Sequence, residues 1–109
     1  MSESICEVWT TVPNAEVGHR LMQGVLEKKL AACVSFLPAL ESAYWWEGKI
    51  EHAQEGLLMI KTTVEHVKAV EEWIAANHPY DCPAIVTLPI LAGYQDYVSW
   101  IRETVSKRS

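Results

Sequence analysis

The sequence predicts an α+β fold of the ferredoxin-like type, in which helices pack on one sheet. Extended and helical segments alternate in the order βαββαβ, followed by a last helix, and this order is the split βαβ pattern. The chain has 109 residues, half of them hydrophobic, which suits one packed domain spanning residues 1–109. In this topology the first and third strands are central, and we expect the first two helices to cover one face of the sheet.

The first strand and the first helix follow from local signals. Residues 5–11 form a short segment rich in β-forming side chains, which predicts the first strand. Asn14 is a good N-cap, and apolar residues recur after it at helical spacing. These residues are Val17, Leu21, Val25, Leu26 and Leu30.

The middle of the chain predicts a β-hairpin of unusual length. Residues 32–46 form an extended run, and Pro38 within it cannot donate a ladder hydrogen bond, so we expect an edge strand or a bulge there. Glu47-Gly48 forms the tight turn, and residues 49–63 return as the third strand. Leu57–Ile60 is apolar at consecutive positions, which indicates burial on both faces.

The rest of the chain predicts a helix, a strand and a final helix. A capping-box pattern at 62–65 starts the second helix, whose apolar stripe is Val67, Val70 and Ile74. His78-Pro79 ends it, because a residue before proline avoids the helical region. Residues 84–91 predict the fourth strand, and Gly93 turns the chain. The final helix is marked by Tyr97, Val98, Ile101 and Val105.

The length of the hairpin predicts self-association. About fifteen residues at ~3.3 Å each span roughly 50 Å, whereas ordinary strands have about 3 to 10 residues. The hairpin must therefore project beyond its own sheet, and it carries Tyr44, Trp45 and Trp46, which need cover. The sheet face that the helices leave open needs cover as well. Closed self-assembly would provide both.

Composition argues against several classes of partner. The net charge of -5 disfavours nucleic acid, because phosphate binding needs concentrated Lys and Arg. No apolar run approaches the roughly 20 residues of a membrane span, so we expect no membrane partner. The first residues, MSESICEVW, lack the features of a targeting peptide, and three widely spaced cysteines indicate no disulfide framework. We therefore expect a cytoplasmic protein.

Four segments resemble the CutA divalent-cation-tolerance family, and the resemblance as a whole covers the chain from about Val8 to Ile101. They are KLAACVSFLPALESAYWWEGKIE, LLMIKTT, NHPYDCPAIVTLPI and GYQDYVSWI. The resemblance implies a PII-like homotrimer in which hairpin strands of neighbouring subunits pair. It also implies a non-catalytic protein involved in the response to metal ions. An enzyme ranks last among the hypotheses, because no nucleophile–base pair is visible.

A trimeric scaffold, adaptor or PII-like signalling protein is the alternative function. It would bind a protein or a small ligand at clefts between subunits. The candidate cleft residues are Tyr44, Trp46, Glu47, Lys61 and Tyr80. Lys61 could meet an anion at a helix N-terminus, or it could form an ion pair with Glu47, Glu51 or a neighbouring subunit.

The segment HPYDCP, residues 78–83, contains the candidate metal ligands. His78 is the strongest, because neutral imidazole is a common ligand of borderline metals. Asp81 and Cys82 could assist it. Alternatively, the two prolines make this segment a rigid corner, in which Tyr80 packs and His78 either caps the end of the second helix or packs at a subunit boundary.

The copper ligands associated with part of the family are only partly present in this sequence. They are a Cys that closes the first strand and two consecutive His before Pro-Tyr, and the corresponding residues here are Thr10, Asn77 and His78. The family pattern also carries an acid where Ala84 stands. The resemblance therefore implies at most weak binding of copper or another divalent cation, through His78. We expect His78→Ala to abolish this binding and to leave the trimer intact.

The acidic residues of the hairpin offer no clear chemistry. Glu51 and Glu55 share a strand face with Ala53 between them, and we interpret that face as solvated. Paired carboxylates can perform acid–base catalysis, but the sequence does not fix their separation.

Overall fold

Four antiparallel strands form one sheet in the computed structural model, which describes residues 4–106. The elements are β1 (Ile5–Val12), α1 (Ala15–Glu27), β2 (Cys33–Trp46), β3 (Lys49–Thr63), a 3-10 turn (Val64–His66), α2 (Val67–Asn77), β4 (Ile85–Pro89) and α3 (Gln95–Ser106). The strand order is β2-β3-β1-β4. The ferredoxin-like α+β fold is therefore confirmed, as is the central position of the first and third strands.

Helix α1 begins at the predicted N-cap. The Asn14 side chain accepts a hydrogen bond from the backbone N–H of Val17 at 2.9 Å. Leu21 and Val25 of the predicted stripe are fully buried. The helix ends at Glu27, so Leu30 lies in the turn that follows and not in the helix.

The hairpin of β2 and β3 has the predicted length and turn. Its strands contain 14 and 15 residues. Glu47 and Gly48 have φ angles of 51° and 81°, and positive φ at both turn residues is what a two-residue type I′ turn requires. Residues 49–55 of β3 extend beyond β1, whose pairing with β3 ends at Gly56. The hairpin therefore projects past the sheet, as predicted.

A β-bulge interrupts β2 at Pro38. Leu37 lies opposite Leu57, whereas Leu40 lies opposite Glu55, so β2 uses one more residue than β3 over this interval. Ala39 in the bulge has a φ of 61°. Strand β2 is also an edge strand of this sheet, so both of the alternatives that Pro38 predicted occur.

Most of the core lies between the sheet and helices α1 and α2. It contains Val8, Val12, Leu21, Val25, Leu58, Ile60, Val70 and Ile74, all fully buried. A smaller cluster on the other face joins the start of β1 to α3 and contains Ile5, Ala32, Ile101 and Val105. The rest of that second face, which we call the open face, stays partly exposed. Leu37 and Val86 on it are 47% and 55% exposed.

Besides the end of α1, two predicted boundaries are wrong. The helical turn after β3 has Thr63 and not Thr62 as its N-cap, and the Thr63 side chain makes no capping hydrogen bond. The Thr62 hydroxyl instead donates to the carbonyl of Leu30 at 2.7 Å. The chain passes through a 3-10 turn before α2 begins at Val67. Strand β4 covers Ile85–Pro89 and not 84–91, since its pairing with β1 ends at Pro89 and Leu91 is fully exposed.

Within residues 4–106, no helix combines the length and apolarity that crossing a bilayer requires. Helix α2 ends where predicted, at Asn77, and His78 beyond it has extended backbone angles. Pro79 follows directly, and the segment then turns toward the base of the projecting hairpin. That turn positions the candidate site.

Candidate functional site

A groove of about 480 Å³ lies between the projecting hairpin and the corner that follows α2. The hairpin contributes Ser42, Tyr44, Trp46 and Glu55, and the corner contributes Tyr80, Asp81 and Cys82. The bulge at Pro38 determines which side chains of β2 face the groove. It shifts the register by one residue, and from Leu40 onward the side chains alternate between the two faces of the strand in the shifted register.

Glu55 is the polar centre of the groove. Its side chain is only 9% exposed. The Ser42 hydroxyl donates to one carboxylate oxygen at 2.7 Å, and the Tyr80 hydroxyl donates to the other at 2.7 Å. Burial, followed by the hydrogen bond and the charge of Glu55, holds the pKa of Tyr80 well above its ordinary value.

The interpretation of Glu55 as part of a solvated strand face is therefore wrong. The corner bearing Tyr80 folds over that end of the hairpin and removes the carboxylate from water. One sequence signal pointed this way, since Glu55 lies two residues before the apolar run Leu57–Ile60. Its hydroxyl partners lie 13 and 25 residues away in sequence, and no local pattern identifies them.

His78 is 9% exposed and uses both of its ring nitrogens within the protein. The backbone N–H of Tyr80 donates to Nδ1 at 3.1 Å, so the ring proton lies on Nε2. Nε2 then donates to the carbonyl of Thr11 at 2.8 Å. The His78 and Tyr80 rings also pack together with their centroids 4.8 Å apart. The ring therefore holds the corner against β1, and neither of these bonds goes to a residue of α2, so they are not the predicted helix cap.

The proposed helpers of His78 lie elsewhere at the corner. Asp81 and Cys82 are exposed and line the groove, whereas the ring nitrogens of His78 are directed to Thr11 and Tyr80. Across residues 4–106, no three His, Cys, Asp or Glu side chains gather as a metal site would require. Metal binding through His78 stays a prediction.

The two other positions of the copper pattern are occupied by polar side chains with structural surroundings. Thr10 is 1% exposed, and its hydroxyl has no hydrogen-bond partner among the described residues. The Asn77 amide donates to the carbonyl of Trp73 at 2.8 Å, one turn back in α2. Neither side chain offers the thiolate or imidazole that the pattern has there.

Within one chain the structure brings together three of the five candidate cleft residues, namely Tyr44, Trp46 and Tyr80. Glu47 lies in the turn at the tip of the hairpin. Lys61 lies near the opposite end of β3, where it pairs with Glu7 and Cys33. A cleft between subunits that includes these two residues stays a prediction.

A second polar contact lies on the open face. The Cys33 thiol and the Tyr97 hydroxyl are 3.2 Å apart. Burial, then the hydrogen bond with Cys33, and then the charges of Cys33 and Glu7 raise the pKa of Tyr97 to about 12. The Tyr97 ring stacks on Trp100 with centroids 5.9 Å apart.

Comparison with known sequences gives consistent matches. The family described as "CutA1 divalent ion tolerance protein" matches residues 6–104. Protein CutA 1, chloroplastic, of Oryza sativa subsp. japonica is 45% identical over 97 residues, which are 89% of this chain and 55% of that protein. The Divalent-cation tolerance protein CutA of Thermus thermophilus is 43% identical over 96 residues, which are 88% of this chain and 93% of that protein. This chain thus spans about half the length of the plant relatives that it matches.

Comparison with solved structures agrees. The crystal structure of CutA1 from Oryza sativa superposes with a TM-score of 0.94 at 41% identity, covering 98% of both chains. The structure of the Periplasmic divalent cation tolerance protein CutA from Archaeoglobus fulgidus gives a TM-score of 0.90 at 40% identity. That match covers 93% of this chain and 98% of the other.

Proposed function

This chain belongs to the CutA1 divalent ion tolerance protein family, and from that membership we propose that it is a non-catalytic, homotrimeric protein of divalent-cation tolerance. The observation that carries the proposal is the family match over residues 6–104. The names of the relatives describe tolerance to divalent cations and not catalysis, which supports a non-enzymatic role.

The projecting hairpin and the open face support self-association. Residues 40–46 and 49–55 pair only with each other, so their outer edges lack strand partners within the described chain. Trp45 and Ile50 on the hairpin are 72% and 56% exposed, and Leu37 and Val86 extend this apolar surface onto the open face. A second copy would cover both surfaces. The number three comes from the family resemblance.

A cytoplasmic location is a proposal that rests on the cysteines. Cys6, Cys33 and Cys82 are all free thiols, which favours a reducing compartment. The names of relatives place the Oryza protein in the chloroplast and the Archaeoglobus protein in the periplasm, so compartments differ within the family.

Copper or another divalent cation would bind this chain weakly, through His78, with Asp81 and Cys82 as helpers. Weak binding is supported by the engagement of both His78 nitrogens, because a metal must displace one of these hydrogen bonds. It is also supported by Thr10 and Asn77, which replace a thiolate and an imidazole of the family pattern.

Growth of a bacterium lacking its own CutA tests the proposed function. Expression of this chain should restore growth at raised Cu²⁺ concentration, relative to the same strain carrying an empty vector. A variant with a charged residue on the open face, Leu37→Lys, should restore growth less well, because it should not assemble. If the parent chain is expressed as a folded trimer and still fails to restore growth, the proposed function is wrong.

A further inference from the structure

Glu55 is a buried negative charge that its own chain leaves without a positive partner. The side chain is nine-tenths buried, and its hydrogen-bond donors are the neutral hydroxyl groups of Ser42 and Tyr80. In the described part of the chain, no Lys, Arg or His is among the residues that line the groove. Burying a charge is costly unless an opposite charge accompanies it. The matching charge must therefore come from outside the chain.

Lys61 is a positive charge in the complementary situation. It is half-buried on the open face, and its ammonium has no hydrogen-bond or ion-pair partner within residues 4–106. Glu7 lies directly opposite it in the register of β1 and β3, but the Glu7 carboxylate accepts from the indole N–H of Trp9 at 2.5 Å. Lys49, the other lysine of β3, is exposed beside the turn at the tip of the hairpin.

Glu55 and Lys61 share one face of β3 but cannot meet within one chain. An even number of residues separates them on a regular strand, so their side chains point to the same side. Six residues at ~3.3 Å each place them roughly 20 Å apart along the strand. An ion pair needs its charged atoms within about 4 Å. Each chain therefore presents a negative and a positive position at two separate points of one face.

Assembly of identical chains in a closed ring can bring these two positions together. The contact in such a ring is heterologous, so one patch of a subunit meets a different patch of the next. The open face and the projecting hairpin are the surfaces that the proposed assembly covers, and they carry Lys61 and Glu55. A register that joins opposite charges is favoured over registers that bury both charges unpaired.

The Glu55 carboxylate has room for such a partner. A carboxylate has about four lone-pair positions, and Ser42 and Tyr80 use one on each oxygen. These two bonds fix the orientation of the group, and the remaining positions can accept from an ammonium. Attraction within a buried ion pair offsets the cost of desolvation best when further hydrogen bonds satisfy the charged groups in this way.

We propose that the groove of each subunit receives Lys61 of the partner subunit, whose ammonium donates to Glu55, and that three such ion pairs fix the register of the trimer. This inference rests on the self-association in the proposed function. A chain that does not assemble would refute that function, whereas a chain that assembles without this pair would refute only the present inference.

A double-mutant cycle tests the pair. Light scattering on dilution, at neutral pH and one fixed urea concentration, measures the protein concentration at which half of the trimer has dissociated. Glu55→Gln and Lys61→Met should each raise that concentration at least about tenfold. The double variant should dissociate no more readily than the less stable single variant, because both changes remove the same interaction. Additive effects of the two changes would overturn the proposal.

Matched controls separate this pair from overall charge and from Glu7. Glu41→Gln and Lys68→Met remove the same charges from exposed positions on the opposite face of the hairpin and on α2, and they should leave dissociation unchanged. If they act as strongly as the first two changes, overall charge is responsible, against the proposal. A second cycle of Lys61→Met with Glu7→Gln should be additive. Coupling to Glu7 and none to Glu55 would mean that Lys61 pairs within its own chain, which also contradicts the proposal.

Crosslinking of the natural protein covers the case in which a variant does not fold. A carbodiimide joins a carboxylate to an amine in contact with it and leaves no spacer. Since the two side chains lie roughly 20 Å apart within one chain, an amide between Glu55 and Lys61 can form only between subunits. Mass spectrometry of the digested two-chain species should identify it. Lys61 joined to Glu7, with none joined to Glu55, would overturn the proposal.

Discussion

His78 joins the end of α2 to β1. Its ring donates to the Thr11 carbonyl and accepts from the backbone of Tyr80, so one buried side chain satisfies polar backbone groups of two segments. Without the ring, the Thr11 carbonyl and the Tyr80 N–H would each lose a hydrogen bond. The structure therefore gives His78 a definite role in stability, whatever its affinity for metal.

We expect His78→Ala to destabilise the fold by about 1–3 kcal/mol, because it removes a buried ring with two hydrogen bonds. His52→Ala, at an exposed position of β3, should change stability by less than about 0.5 kcal/mol. Urea denaturation at one fixed protein concentration measures both. Equal stability of the two variants would show that the ring is dispensable for the fold.

Calorimetric titration of the parent chain with Cu²⁺ should give micromolar or weaker affinity. The reason is that Nδ1 and Nε2 of His78 already have partners. His78→Ala should abolish the binding. A nanomolar site, or binding that persists in the variant, would show that other residues are the ligands.

Tyr97 should make stability pH-dependent at the alkaline end. Its folded pKa of about 12 lies above the ordinary value of 10.0, so the folded state retains a proton that the unfolded state has released. This contribution is fully present below pH 10 and is lost as the pH rises toward 12. The stability of Tyr97→Phe should fall less than that of the parent over this window. If the stability of both proteins, measured by urea denaturation at a series of pH values, fell equally over this window, the raised pKa would not belong to Tyr97.

At the scale of elements, the hairpin turn is set by backbone conformation alone. Gly48 has a φ of 81°, and a methyl group added there would meet no atom within 4 Å. Gly48→Ala should therefore lower the free energy of unfolding by about 1 kcal/mol, because of backbone strain and not because of a steric clash. Glu47→Asn should stabilise slightly, since Asn tolerates positive φ better. The midpoint of urea denaturation should fall for Gly48→Ala and rise for Glu47→Asn. A change of the same sign in both variants would refute this account.

The hairpin was predictable in detail because its signals are local. The Glu47-Gly48 turn, Pro38 in the bulge and the apolar run of β3 each act within a few residues, and the bounds of β3 match the prediction. The predicted helix start at Thr62 is wrong because β3 continues to Thr63, and the Thr62 hydroxyl donates to the carbonyl of Leu30, 32 residues away. Glu55 was misjudged for the same reason, since its burial depends on Tyr80.

For the whole molecule, the open face and the projecting hairpin predict that the chain assembles with copies of itself. Light scattering of the parent in dilute buffer should give about three times the chain mass of 12.3 kDa. Leu37→Lys places a charge on the open face and should shift the mass toward that of one chain, whereas Ala75→Lys, at an exposed position of α2, should not. A stable, folded monomer of the parent would contradict the trimer. Melting temperature should also rise with protein concentration.

Cys82 differs from the other two cysteines in being exposed, and it lies on the wall of the groove. Cys6 is buried, and burial raises the pKa of its thiol, while Cys33 is half-buried against the Tyr97 hydroxyl. Thiol reagents attack accessible thiolates, so a maleimide should modify Cys82 first. The natural chain thus has its own attachment point for a fluorescent dye. A dye placed there would report occupancy of the groove by a change in emission, without any engineered cysteine.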